Sequence, residues 1–206
     1  MKHFGDIMFT PLVKAEQARL GSRDAYAKMT AGAAPDRLTA REAEFIGARD
    51  SFYLGTVNED GWPYVQHRGG PRGFLKVLSP NRIGFADYRG NRQFVSRGNL
   101  SADNRASLFL MDYPRQARLK LLARATVADA ADDPVLANKL AIDGGGKVER
   151  LFVFDVEAFD WNCPQFITPR FTAEEVAAGV APLHDEIAAL KAENARLRAA
   201  RLRAAR

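Results

Sequence analysis

From residue 51 to residue 156 the chain consists largely of short apolar runs that turn residues separate every few positions. Runs of this length with glycine, proline and asparagine between them are typical of β-strands and hairpins. Parallel neighbours need crossovers of a dozen or more residues, so close spacing favours an antiparallel barrel. The expected strands are 51–57, 62–67, 74–78, 82–86, 106–111, 118–127 and 148–156. Pro63 should begin its strand or lie on a sheet edge, because proline cannot donate a ladder hydrogen bond.

Helices are predicted around this barrel. Residues 1–49 are expected to be helical, with Thr39 and Glu42 forming a capping box that opens the last helix of the segment. A further helix is predicted from Asn91 to about Leu100, and another begins at Asp133-Pro134 because proline suits the first helical turn. The fold class is therefore mainly β with peripheral helices.

The C-terminal segment carries a different pattern. Leu183, Leu190 and Leu197 occupy d positions of a heptad whose a positions are Ile187 and Asn194. One asparagine at a is typical of a parallel two-stranded coiled coil, although this stripe spans barely two heptads. The predicted domains are an N-terminal helical segment (1–49), a barrel (50–170) and a helical tail (171–206).

Charge is concentrated in that tail. Residues 191–206 hold six basic side chains and one acidic side chain, which equals the net charge of +5 of the whole chain. The remaining residues are neutral as a set, so nucleic-acid binding would rest on the tail alone and is not favoured. There is no long apolar run and no signal-peptide pattern at the N-terminus, and Cys163 is the single cysteine. We therefore expect a cytoplasmic protein without a metal site or membrane segment.

The most informative candidate site is the turn from Phe85 to Gln93, where a strand ends, Gly90 permits a sharp turn and a helix is expected to begin. A helix N-terminus carries unpaired N–H groups and suits a phosphate. Asn91 would cap this helix, and Arg92 could add two parallel hydrogen bonds to the phosphate. An ordinary strand–turn–helix with a solvated arginine is the alternative.

Other polar groups could converge on that turn. They are Arg68, Arg72 and Lys76 beside the glycine-rich link, and Gln116, Arg118 and Lys120 on a later strand. Gly69, Gly70 and Gly73 would let a flat ring approach the backbone. Outward-facing solvated side chains are the competing interpretation of the basic residues. His67 and the pair Trp161-Asn162 are weaker candidates, whose alternatives are a strand-end histidine and a packing tryptophan.

Together these motifs resemble the pyridoxamine 5'-phosphate oxidase-like family of FMN-binding split barrels. The resemblance lies in the order of the Gly90–Gln93 turn, the Leu108–Met111 strand and the Gln116–Arg118 strand. The sequence segments 62–70 and 160–165 are similar to those of a subgroup called flavin-nucleotide-binding proteins. The similarity covers roughly residues 36–170.

The resemblance implies roles for particular residues. Arg92 matches the arginine that holds the FMN phosphate, and Ala86-Asp87 match a pair that contacts the cofactor. Lys76 matches a lysine close to the flavin ring, and Gln116 matches a glutamine directed to the flavin. Trp161 matches a tryptophan that lies near the ring from the partner subunit, beside Asn162.

The sequence also departs from the family pattern. A Gly-Gly-Pro insertion leaves either Arg68 or Arg72 to fill the role of a second phosphate-binding arginine. Gln93 stands where the family has a lysine. The coiled tail replaces the C-terminal segment that grips pyridoxamine phosphate in the oxidases, which weighs against oxidation of a vitamin B6 phosphate.

We therefore expect an FMN-dependent oxidoreductase of unknown substrate, a homodimer with FMN where the two barrels meet. A non-enzymatic flavin-binding or flavin-sensing module is the first alternative. A split barrel that binds a deazaflavin or haem is the second.

Overall fold

A computed structural model describes residues 1–161 and 164–205. The chain divides into two compact units. The first, the barrel unit, comprises Met1–Asp112 and Gln116–Phe166, and the second comprises Tyr113–Arg115 together with the chain from Ile167 onward.

Short helices open the barrel unit, as the sequence predicts. They are α1 (Phe4–Met8), α2 (Pro11–Arg19), α3 (Arg23–Met29) and α4 (Ala40–Gly47). The capping box that opens α4 is confirmed: the backbone N–H of Thr39 donates to Glu42 Oε2 at 2.9 Å, while the Thr39 side chain accepts from the third helical residue. Two orphan donors at the start of the helix are thereby satisfied.

In the part of the chain that the structure describes, seven antiparallel strands form one sheet, which confirms the predicted fold class. The strands are β1 (Ser51–Val57), β2 (Pro63–Gly69), β3 (Lys76–Ser79), β4 (Arg82–Tyr88), β5 (Arg105–Asp112), β6 (Ala117–Asp129) and β7 (Val148–Trp161). Their order across the sheet is β2-β1-β5-β6-β7-β4-β3. Pro63 is the first residue of β2, which lies at one end of the sheet, as expected of a strand proline.

The two ends of this sheet curl toward each other. Phe52 of β1 stacks on Phe74 with ring centroids 5.8 Å apart, and it meets Phe85 of β4 edge-on at 5.6 Å. An ion pair joins Arg68 of β2 to Asp87 of β4 at 3.0 Å. Strands far apart in the sheet order therefore meet through side chains, without a backbone ladder between them, and this is how a split barrel closes.

The core fills the space that this closure encloses. Fully buried side chains from both halves of the sheet line it, and the largest are Phe52, Phe152, Phe154, Ile46, Leu54 and Leu108. Ile46 is the contribution of α4, which packs its apolar face on the barrel. Most of the hydrophobic stabilisation of the barrel unit comes from this cluster.

Two predicted boundaries were wrong in a way that matters for the site. The helix expected to begin at Asn91 is α5 (Val95–Ala102). Arg92 and Phe94 have φ angles of 59° and 56°, which a right-handed helix cannot accommodate. The last strand, expected to end at Val156, continues to Trp161 because β7 stays paired with β6 as far as Leu119.

The remaining helices are α6 (Pro134–Leu140) and α7 (Ala173–Ala204). Asp133 caps α6, since its Oδ1 accepts from the Leu136 N–H at 2.9 Å, and Thr172 caps α7. The long C-terminal helix that the sequence predicts is present. Among the described residues no helix combines the length and apolar character that a bilayer span requires.

Candidate functional site

A cavity of about 260 Å3 lies where β4 ends and α5 begins, and we call it the corner cavity. Side chains and backbone from β2, β4, α5 and β7 surround it. Its lining residues are Gln66, Arg68, Asp87, Tyr88, Gly90, Asn91, Arg92, Phe94, Val95, Ser96, Arg97, Arg150 and Phe152. The structure therefore places Arg68, Asp87, Asn91 and Arg92, four residues predicted from sequence, around one space.

Positive charge dominates the lining of the corner cavity. Four arginines against one aspartate leave a formal excess of three positive charges. Asp87 is shared between two of them: Arg68 donates to Oδ1 at 3.0 Å, and the Nε of Arg150 donates to Oδ2 at 2.8 Å. One carboxylate thus orients two guanidinium groups. Arg150 also pairs with Glu149 at 3.1 Å and Arg97 pairs with Asp129 at 3.4 Å, so the excess positive charge around the cavity is smaller than its lining alone gives, but it still favours an anion.

Arg68 lies at the boundary between this cavity and the core. Its guanidinium carbon is 5.0 Å from the ring centroid of Phe152 and 5.5 Å from that of Phe85. Burial lowers the pKa of the guanidinium, and the nearby Asp87 carboxylate partly opposes that effect. The Nε atom is buried and has no hydrogen-bond partner among the described residues. A buried N–H of this kind calls for an acceptor.

The first turn of α5 contributes further donors. Phe94 occupies the N-cap position in a left-handed conformation, and no side chain among the described residues caps the helix there. Asn91, predicted to be the cap, instead accepts from the Gln93 N–H at 3.2 Å in a turn before the helix. The backbone N–H groups of the first helical turn are therefore not used by a capping side chain.

A second cavity of about 200 Å3 adjoins the first and shares Arg68, Asp87 and Tyr88 with it. Its other walls are mostly apolar and include the predicted residues Gly69 and Ala86; they are Gly69, Phe74, Phe85, Ala86, Leu140 and Ile142. The backbone N–H of Ile142 donates to the Tyr88 hydroxyl at 2.9 Å, which fixes one wall. The Arg68–Asp87 ion pair therefore lies on the walls of both cavities.

Several predicted residues lie elsewhere. His67 is exposed on the other side of β2 from Arg68 and meets Tyr53 edge-on, because side chains alternate along a strand. The ammonium of Lys76 donates to the carbonyl oxygens of Lys139 and Ala141, each at 2.9 Å, at the C-terminal end of α6. These two side chains do not line either cavity.

The remaining loop candidates are also outside the two cavities. Arg72 and Gln93 are exposed, and Gln116 lies just before β6 with a φ of 51°. Gly70 and Gly73 are in the link before β3, where a Cβ at Gly70 would lie 2.7 Å from the Phe74 ring. That glycine permits close packing of Phe74, a role that does not involve a ligand.

Trp161 packs within the barrel unit against α4. Its indole N–H donates to Glu42 Oε1 at 2.8 Å, and its ring meets Phe45 edge-on at 4.8 Å. Arg41 lies over the ring at 4.3 Å. Asn162, the other candidate in this segment, and Cys163 lie outside the described residues.

Sequence reasoning missed several lining residues, of which Arg150 is the most important. Its side chain reaches Asp87 because β7 pairs with β4, with Asp87 opposite Arg150 in register. Asp87 and Arg150 are 63 positions apart in the sequence, so local patterns give no hint of the contact. Gln66 and Ser96 were also missed, and the Ser96 hydroxyl donates to Gln66 Oε1 at 2.7 Å.

Comparison with known proteins agrees with the family resemblance and the fold. A model of the family described as pyridoxamine 5'-phosphate oxidase matches residues 38–150, more than half of the chain. No curated protein sequence matches. HupZ of Group A Streptococcus is 13% identical with a TM-score of 0.51, and the match covers 65% of this chain and all of HupZ. An FMN-binding protein from Syntrophomonas wolfei is 10% identical with a TM-score of 0.45, covering 71% and 97% of the two chains.

Proposed function

Since the chain belongs to the pyridoxamine 5'-phosphate oxidase family, we propose that it is a flavoprotein that binds the phosphate of FMN in the corner cavity. The observation that carries the proposal is Arg68, which lines a cavity with excess positive charge and whose buried Nε has no acceptor among the described residues. A phosphate would supply that acceptor and balance that charge.

The other donors of the cavity fit the same group. The uncapped first turn of α5 offers backbone N–H groups and the positive end of a helix dipole. Arg92 is exposed beside that turn, with its guanidinium carbon 5.7 Å from the Phe94 ring centroid. In this assignment Arg68 and Arg92 hold the phosphate, and Asp87 is a positioning residue that keeps Arg68 and Arg150 in place.

We propose that bound FMN makes the protein an oxidoreductase, in which the flavin supplies hydride transfer and the chain supplies binding and orientation. The family resemblance implies that Lys76 and Gln116 contact the flavin ring, but neither residue lines the two cavities, so we assign them no contact. A flavin carrier or sensor without turnover, and a barrel that prefers a deazaflavin or haem, are the alternatives that the experiments below separate.

We also propose that two copies form a homodimer through the outer face of the β1–β2 hairpin. Tyr53, Val65 and His67 are exposed together on that face, and Trp62 at its end is 73% exposed. Aromatic and aliphatic side chains grouped on an open sheet face are typical of an interface. Sedimentation of the FMN-loaded protein at decreasing protein concentrations, detected at the flavin absorption band, tests whether FMN dissociates when the two copies separate.

The phosphate assignment is tested by titrating the full chain with FMN and with riboflavin, which lacks the phosphate. We expect Arg92→Ala to weaken FMN binding by roughly tenfold or more, because a charge-assisted hydrogen bond contributes about 1.5–3 kcal/mol. Riboflavin affinity should not change. Arg89→Ala is the matched control, since Arg89 is exposed near the same turn and does not line the corner cavity.

Equal loss in both arginine variants would show only a general charge effect, and unchanged FMN affinity in Arg92→Ala would refute the assignment. If the protein does not bind FMN but binds a deazaflavin or haem, the assignment of FMN as the cofactor is wrong. Bleaching of the bound flavin by a reduced nicotinamide, with recovery in air, would distinguish an enzyme from a carrier.

A further inference from the structure

The long helix α7 carries an apolar stripe that nothing in the described chain buries. No residue of α7 is buried, and Leu183, Ile187, Leu190 and Leu197 are each about half exposed. Side chains at alternating spacings of three and four lie on one face of a helix. The helix begins at Ala173, so Val176 and Val180 extend the same stripe by another heptad toward the N-terminus.

The order of residues within this stripe is specific. Leu183, Leu190 and Leu197 occupy d, Ile187 occupies a, and Asn194 is a polar residue at a. β-Branched residues at a with leucine at d favour two parallel strands. A buried asparagine at a pairs best with the same asparagine of a second helix, and this fixes register.

The charges that flank the stripe give an independent indication of the partner. Glu186 and Glu193 occupy g positions, while Lys191 and Arg198 occupy the e positions that follow each of them by five residues. In a parallel, in-register pair, each g residue meets the e residue of the following heptad on the other helix. Both contacts then join opposite charges. An antiparallel pair would bring glutamate to glutamate and base to base.

We propose that α7 binds α7 of a second copy of this chain as a parallel, in-register, two-stranded coiled coil whose core runs from Leu183 to Leu197. Pro182 falls at position c, on the side away from the partner, so its ring does not obstruct the contact, although it removes one hydrogen bond of the helix. The proposal rests on α7 alone and does not depend on flavin binding.

Disulfide cross-linking of the full chain tests the pairing. The background is Cys163→Ser, which removes the only native thiol. Leu183→Cys and Leu197→Cys, made separately, should each give a covalent dimer under copper phenanthroline, because in-register d residues face each other. Ala192→Cys at the outward f position is the matched control and should not cross-link.

A charge exchange tests the register independently of the thiol sites. Glu186→Lys with Glu193→Lys, added to Leu183→Cys, places base against base and should abolish the cross-linked dimer. Lys191→Glu with Arg198→Glu should do the same by placing acid against acid. Mixing the two proteins should restore a cross-link between unlike chains, and the effect should weaken in high salt.

Cross-linking at Leu183 and Leu197 with rescue on mixing supports the proposal. No cross-link at either position, or a cross-link only when the Leu183 and Leu197 variants are mixed, would overturn it, the second result indicating an antiparallel pair. Charge variants that cross-link as well as the parent would also overturn the assigned register. Circular dichroism checks that each variant keeps its helix content.

Discussion

Two largely buried arginine–carboxylate pairs in the barrel unit differ in how completely the arginine is used. The guanidinium of Arg49 donates to Asp112 at 2.7 Å, to the Met111 carbonyl at 2.8 Å and to the Phe45 carbonyl at 3.2 Å. All three of its nitrogens are satisfied. Arg68 is paired with Asp87, yet its buried Nε has no partner among the described residues.

The difference separates a structural role from a binding role. Arg49 joins α4 to the end of β5, and each of its three nitrogens already donates to a protein oxygen. Arg68 lines the corner cavity, and its buried Nε has no partner among the described residues, which costs free energy that the ion pair with Asp87 leaves unexplained. Burial and charge are similar in the two pairs, so the unused donor, together with the position of Arg68 on the corner cavity, is what distinguishes Arg68 from Arg49.

The largest expected effect is on stability at the fully used pair. We expect Arg49→Ala to lower the free energy of unfolding by about 3 kcal/mol, because it removes a counter-charge 2.7 Å from the buried carboxylate of Asp112. Urea denaturation followed by circular dichroism measures this loss. FMN affinity of the folded variant should equal that of the parent.

Arg105→Ala is the matched control, since Arg105 pairs with Asp103 on the exposed surface. Its denaturation midpoint should stay close to that of the parent. If Arg49→Ala loses FMN affinity while keeping its stability, the distinction between the two pairs is wrong.

The next effect should appear in binding. Arg68→Ala is expected to reduce FMN affinity by about 2 kcal/mol, roughly 30-fold, because a charge-assisted hydrogen bond to the phosphate is lost. Its cost in stability should be smaller than that of Arg49→Ala, since Asp87 keeps Arg150 as a partner. Isothermal titration calorimetry and urea denaturation give the two quantities.

Arg82→Ala serves as the control here, because Arg82 lies on the same strand as Asp87 and forms an exposed ion pair with Asp155. Its FMN affinity should match the parent. If Arg68→Ala greatly lowers the free energy of unfolding but leaves FMN affinity unchanged, Arg68 has the structural role that we assign to Arg49.

Sequence patterns predict most of the fold because its signals are local. Hairpin spacing identifies the antiparallel strands, Pro63 marks a sheet edge, and the Thr39–Glu42 box marks the start of α4. The helix after β4 was placed too early, since the left-handed backbone at Arg92 and Phe94 has no signature in these residue types. Positive φ is expected of glycine or asparagine, and neither residue is one.

Sequence reasoning predicted the candidate site only where its residues are close together in the sequence. Asp87, Asn91 and Arg92 are close in sequence, and the structure keeps them together. Arg150 was missed because it depends on the pairing of β7 with β4. The sequence left open whether Arg68 or Arg72 faces the cavity, because the answer depends on side-chain alternation along β2 and on where that strand ends. β2 ends at Gly69, so Arg72 lies exposed in the link that follows.

The smallest expected effect concerns Glu42. Its carboxylate is buried and fully paired, so we assign it a structural role, as we do for Arg49. Burial by itself raises the pKa of Glu42, but the hydrogen bonds from Thr39 and Trp161 outweigh it and hold the pKa below its usual value. Because the pKa is lower in the folded chain, the carboxylate stabilises the fold above the unfolded pKa of about 4.3, and that contribution is lost as the pH falls further.

Glu42→Gln should therefore cost about 1 kcal/mol of unfolding free energy at neutral pH and less at about pH 3. Urea midpoints of parent and variant at the two pH values measure the difference. Glu44→Gln, an exposed neighbour on α4, should show no such pH dependence. If the unfolding free-energy cost of Glu42→Gln instead grows at acidic pH, burial destabilises the carboxylate more than the hydrogen bonds from Thr39 and Trp161 stabilise it.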